Sequence, residues 1–137
     1  MSNISKENGL GWTTFSVDDE AGSPQDIRAA TNTLEFSTPK NVLEVTGIDK
    51  SAMERLDGLW DFQATANGTF DDATSNSPHD VFADLSNVRT WGITVSAQIL
   101  NNEVLVTDYA MNRGNDGSLT WSAPAVLANG VVPNWTV

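Results

Sequence analysis

Across residues 88–126 apolar and polar positions alternate through three β-branched runs, separated by Asn101-Asn102 and then by Gly114-Asn115-Asp116-Gly117. In the first run Trp91, Ile93, Val95, Ala97 and Ile99 alternate with Thr90, Gly92, Thr94, Ser96 and Gln98. A period of two is that of a strand with one buried and one polar face. Asn-Asn and Asn-Asp-Gly supply residues that tolerate positive φ, as tight hairpins require, so the runs are expected to fold as an antiparallel meander.

The first half is patterned less clearly. Residues 12–18 place Phe15 and Val17 on one side of a strand. Residues 26–36 alternate weakly, with Leu34 and Phe36 as the inward pair, until Pro39, which cannot donate to a ladder. Residues 42–45 read as another short strand. The period then changes: Asp49 as N-cap, Ile48 and Met53 at staple spacing and the stop Asp57-Gly58 predict a two-turn helix over 48–58. Alternation returns over 59–70, with Trp60, Phe62, Ala64, Ala66 and Phe70 inward and Asp61, Gln63, Thr65, Asn67 and Thr69 outward. After a loop at 71–76, Ser77 as N-cap, Pro78 at the first helical position and the stripe Val81, Phe82, Leu85 predict a short helix over a sheet edge or the end of a sandwich. A last run, 131–137, follows Asn129-Gly130, and residues 1–11 read as an extended arm without a core of its own.

At 137 residues the chain is read as a single domain that buries roughly 68% of its unfolded surface without metals or disulfides. It has no cysteine, and no run approaches the ~20 apolar residues of a membrane span. With nothing like a signal peptide in MSNISKENGLG, it is expected to be soluble and cytosolic when made. Eighteen acidic residues against seven basic ones give a net charge of −11. Phosphate binding needs clustered Lys and Arg, and here the basic residues are scattered, so a DNA-gripping groove is not expected.

The search for chemistry is mostly negative. His79, the single histidine, sits in the first turn of the expected helix, and no Gly-x-Ser-x-Gly turn accompanies it. Asp71-Asp72, with Asp80 and Asp84, lack the spacing and glycine of a calcium loop and read as a solvated acidic loop. No nucleophile, base or phosphate-loop constellation is present, so no enzyme, metal or cofactor is expected. Of the five tryptophans, Trp60, Trp91 and Trp121 fall on the apolar sides of their runs and are assigned to the core, leaving Trp12 and Trp135 for contacts.

Nearly the whole chain resembles the major tail (tail tube) proteins of long-tailed bacteriophages, particularly those of actinobacterial hosts. The likeness is carried by SNISKENGLGWTTFSVDD, by VTGIDKSAMERLDGLWDFQATANGTFDD and above all by WGITVSAQILNNEVLVTDYAMNRGNDGSLTWSAPAVLANGVVPNW, with its Val-x-Pro-x-Trp ending. It implies a mainly β, two-sheet antiparallel β-sandwich with one short flanking α-helix. Copies would close into rings, usually hexamers, stacked into a hollow tube whose inner β-barrel passes genomic DNA without specific binding. The implied partners are further copies of the chain and the tail terminator, distal tail and tape-measure proteins, and the implied location is the virion tail.

Under that likeness the acidic excess would line the lumen and repel phosphate over a screening length of ~8 Å. The candidate lumen-facing residues are Asp61, Gln63, Thr65, Asn67 and Thr69 together with Thr90, Thr94, Ser96 and Gln98. Candidate subunit contacts are Leu10, Trp12, Asp71, Asp72 and Trp135. A monomeric carbohydrate-binding β-sandwich is the competing reading, and it predicts a 14.7 kDa species rather than rings.

Overall fold

The computed structural model describes residues 9, 10, 12 and 14–136. Most of the arm expected at 1–11 therefore lies outside the described residues. The strands, in chain order, are β1 (Thr14–Asp18), β2 (Pro24–Asp26), β3 (Thr31–Ser37), β4 (Lys40–Glu44), β5 (Arg55–Trp60), β6 (Gln63–Thr69), β7 (Arg89–Val95), β8 (Gln98–Val106), β9 (Ala110–Arg113) and β10 (Leu119–Leu127). One α-helix, α1 (Pro78–Phe82), precedes β7. The fold is mainly β, and every pairing among these strands is antiparallel.

Eight strands form a sheet in the order β2-β1-β7-β8-β10-β6-β3, with β9 also on β10; β4 and β5 form a separate pair. β8 meets β10 only where Val104–Val106 face Ala125–Leu127, while β9 pairs with Leu119–Ser122 on the same side. This short seam divides the sheet into two four-stranded layers, β2-β1-β7-β8 and β9-β10-β6-β3. The sheet curls until its ends meet: Trp12, just before β1, stands edge-on to Phe36 of β3 at 6.5 Å. The result is a two-layer sandwich, not a closed barrel.

Period-two alternation places Phe15, Val17, Trp91, Ile93, Leu100, Val104, Ala123 and Ala125 on the shared inner faces, all buried. Burying each large side chain contributes about 1.5–3 kcal/mol, so this face, not backbone pairing alone, fixes the registers. The helix is as the sequence predicts. Ser77 Oγ accepts the Asp80 N–H at 3.1 Å, and Val81 and Phe82 are buried. Phe82 touches both Trp91 and Trp121, at 6.1 and 5.5 Å, so α1 plugs one end of the sandwich.

Three expectations are corrected. The first hairpin of the meander turns at Ser96-Ala97, with Ser96 at φ 56, and Asn101-Asn102 lies inside β8. That shift of the turn carries Ile99 to the outer face and Leu100 and Asn102 inward; Asn102 opposes Trp91, and neither Asn102 Nδ2 nor Trp91 Nε1 has a partner among the described residues. The helix expected over 48–58 is a hairpin: Leu43 opposes Leu56, and Val45 N–H donates to the Glu54 carbonyl at 3.0 Å. Helix-capping residue types serve turns as well, and apolar runs on both flanks decide the matter in favour of strands. The strand expected over 59–70 breaks at Asp61-Phe62, so Trp60 belongs to the hairpin and is 40% exposed instead of being core. The last run, described to residue 136, makes a single bridge, Thr136 with Ile99.

Candidate assembly surfaces

Strands β3 and β6 pair up to Ser37 and Gln63, and their continuations β4 and β5 pair from Lys40 and Trp60 onward. The Asp61 N–H donates to the Pro39 carbonyl at 2.9 Å and bridges the kink between them. The four strands thus make one long hairpin whose outer half, 39–61, leaves the body as an arm. At ~3.3 Å per residue the arm reaches about 20 Å from Lys40 to Val45. Gly58 permits its tight pairing, since a Cβ there would meet the Asn41 carbonyl at 2.9 Å.

Every residue of β4 is exposed, and all of β5 except Gly58. Val42, Leu43, Val45, Ile48, Met53, Leu56 and Leu59 all face solvent, Leu59 being 84% exposed. Directly opposed residues share a face, so Leu43, Leu56 and Val45 form one apolar side and Glu44, Arg55, Val42 and Asp57 the other. Lys40 pairs with Asp57 at 3.0 Å and lies 5.0 Å over the Trp60 ring. A two-stranded ribbon is marginal in water by itself, and exposed apolar patches of this kind mark contact surfaces.

The sheet edges differ in the same sense. The short edge strand β2 is strapped by loop 71–76: Asp26 N–H donates to Asn76 Oδ1 at 3.1 Å, and Asn76 N–H to Gln25 Oε1 at 3.0 Å. The C-terminal segment covers β8, with Ile99 and Thr136 exchanging bonds of 2.8 and 2.7 Å and Ala128 N–H donating to the Glu103 carbonyl at 3.0 Å. By contrast β3 pairs only with β6 and β9 only with β10, so among the described residues one layer has both edges closed and the other both edges open. Open edges are templates for further strands.

The candidate lumen residues separate onto the two layers. Gln63, Thr65, Asn67 and Thr69 lie on the outer face of β6, opposite Ser37, Glu35 and Thr33 of β3, and opposite Val126, Pro124, Ser122 and Thr120 of β10. This face has a shallow depression of about 330 Å³ that runs from Thr33 to Asn112 of β9. Thr90 and Thr94 lie on the outer face of the other layer, Ser96 in the hairpin turn, Gln98 at the start of β8 and Asp61 in the kink of the arm. The outer faces are not fully polar, since Ile99, Leu105 and Val126 are exposed on them.

Among the candidate contacts, Leu10 is 86% exposed and Asp72 exposed, whereas Asp71 Oδ1 accepts the Ala73 N–H at 3.0 Å. Trp12 and Trp135 both pack on Phe36, closing the end of the sandwich opposite α1. The arm was missed by sequence reading. Its signal was present in the pair of leucine-bearing runs 42–45 and 56–59 on either side of a polar turn, but the capping residues between them outweighed it.

At the closed layer the charges are tightly arranged. Arg89 is buried without a carboxylate, and its guanidinium donates to the carbonyls of Ser86, Asp18, Val81 and Asp84, tying α1 to β1 and β7. Nearby, Glu20 and Asp84 share a hydrogen bond that raises Glu20 above the usual carboxylate value and lowers Asp84 to about 2. Burial raises Asp18, against a hydrogen bond with Thr90 and with Glu103 adding repulsion; Thr90 Oγ1 in turn donates to Glu103.

No family model matches the chain, and no curated protein does. Solved structures match its fold. A chain from the tail of an empty gene transfer agent particle, refined with C6 helical symmetry, superposes with a TM-score of 0.78 at 16% identity, covering 96% of this chain and 100% of that one. A chain from the virion of a native gene transfer agent particle gives 0.73 at 16% identity with the same coverage. With 96% of this chain and all of the others covered, the two-layer sandwich has the fold of chains found in gene transfer agent particles.

Proposed function

We propose that this protein is a tail tube subunit, a structural protein that closes into rings stacked as a hollow conduit for DNA. The observation that carries the proposal is the division of labour between the layers. One has both edges closed, and the other has both edges open and sends out an apolar arm from the same hairpin. Head-to-tail pairing of the β3 edge of one copy with the β9 edge of the next extends the open layer, while the arm covers its leucines on a second copy.

Geometry then selects the lumen face. Taking the sixfold symmetry of the matching tail, six four-stranded layers at ~4.8 Å spacing and ~40° tilt close at a backbone diameter of roughly 48 Å. With the second layer ~10 Å inside it, the span between backbones would fall to roughly 28 Å, and side chains of about 5 Å on each wall would leave about 18 Å, less than the width of a duplex at about 20 Å. The open layer is therefore the inner wall, and Gln63, Thr65, Asn67 and Thr69 face the lumen, with Thr90 and Thr94 on the tube exterior. The glycan-binding alternative has less support, because Trp91 and Trp121 are buried and Lys40 covers Trp60.

Electron microscopy of the concentrated protein tests the assignment. Rings or hollow filaments are expected. A species of 14.7 kDa under all conditions, with tryptophan fluorescence that shifts on adding glycans, would replace the assignment with the binding-module reading.

A further inference from the structure

If the β9-β10-β6-β3 layer lines the conduit as proposed above, the charge it sets against DNA follows from its register. Its outer face carries hydroxyls and amides, such as Thr33, Thr65, Asn67, Asn112 and Ser122, the apolar Ala110, Pro124 and Val126, and one charged side chain within the strands, Glu35, in the middle of β3. Glu35 is exposed and has no cation within salt-bridge distance among the described residues. The strands of the layer hold no other carboxylate on this face; at its end, in the kink of the arm, Asp61 Oδ2 accepts the Gln63 Nε2–H at 3.3 Å. Asp18 and Glu103 are on the outer face of the opposite layer, and Glu20 and Asp84 pair beside it. On this reading most of the net −11 lies outside the strands of this face.

We propose that the strands of the conduit wall are electrically almost neutral, and that Glu35 is the one carboxylate per copy that they present to the passing duplex, with Asp61 at the rim. A neutral wall of short side chains exchanges hydrogen bonds with water and offers phosphate no ion to pair with. One carboxylate per copy, repeated around each ring, adds repulsion within a screening length of ~8 Å. Reversing that single charge should turn a slip surface into a grip, because phosphate affinity rises steeply with each cation and falls with salt.

The test uses tubes of the protein incubated with a short DNA duplex, then nuclease. Glu35→Lys tubes should protect at least about tenfold more duplex at low salt than wild-type tubes, and lose the gain at high salt. Asp18→Lys, the same reversal on the exterior, should leave its bound duplex open to digestion. Should Glu35→Lys not assemble, Glu35→Gln is measured instead, and a smaller, salt-sensitive gain is expected. Equal protection by wild type and the Glu35 variants overturns the proposal. Thiol labelling separates this failure from that of the tube geometry, since the chain has no cysteine. In assembled tubes Thr65→Cys should react with a small maleimide and be shielded from one carried on a bulky polymer. Reaction with the bulky reagent means the layer is not the inner wall; shielding without a Glu35 effect defeats the charge inference alone.

Discussion

Gly68 sits where β6 passes beneath the turn before β3, and a Cβ there would meet the Ala30 carbonyl oxygen at 1.8 Å. Backbone cannot retreat as a flexible side chain can, so Gly68→Ala should cost about 3 kcal/mol in urea unfolding. The Glu20–Asp84 pair makes a pH prediction of known sign. Glu20 is raised, so its contribution is present below the usual value of 4.5 and lost as pH rises; Asp84 is lowered, so its contribution is present above 3.8 and lost as pH falls towards about 2. Glu20→Gln keeps the hydrogen bond and removes the second charge. It should raise the melting temperature at pH 7 relative to wild type and leave it unchanged near pH 4; equal shifts at both pH values would contradict the shared bond. At this scale the sequence was only partly legible. Alternation placed Phe15, Trp91 and Trp121 in the core, but Trp60 obeys the same period on a ribbon left exposed among the described residues.

Among the elements, β7, the turn at 114–117 and α1 were legible because their rules are local, whereas Asn101-Asn102 misplaced the first turn of the meander. The arm was not, since Asp49 and Asp57-Gly58 satisfy helix caps and hairpin turns alike, and the choice between them is made by Leu43 meeting Leu56 across 13 positions. That separation also isolates the arm from the core. Leu43→Asp with Leu56→Asp should therefore change the unfolding free energy of the monomer by no more than about 0.5 kcal/mol, while abolishing rings and tubes in electron micrographs. In wild-type protein Trp60 fluorescence should shift to the blue on assembly. Loss of the monomer fold in the double variant would show instead that the arm is a part of the core.

At the scale of the whole molecule, no residue pattern announces which strands are left unpaired. The edges of β2 and β8 are closed by Asn76 and Thr136, contacts between distant parts of the chain that no local rule foresees. The open edges of β3 and β9 are what remains among the described residues, and in the proposed assembly they carry the ring. Within one copy two strands, β6 and β10, separate them, a distance of about 14 Å at ~4.8 Å per strand. A short bifunctional maleimide applied to a Thr33→Cys, Asn112→Cys variant after assembly measures the closure directly. Head-to-tail pairing predicts a ladder of covalent oligomers ending at the ring size, with each single-cysteine variant staying monomeric. A double variant that cross-links no further than its single-cysteine parents would contradict it.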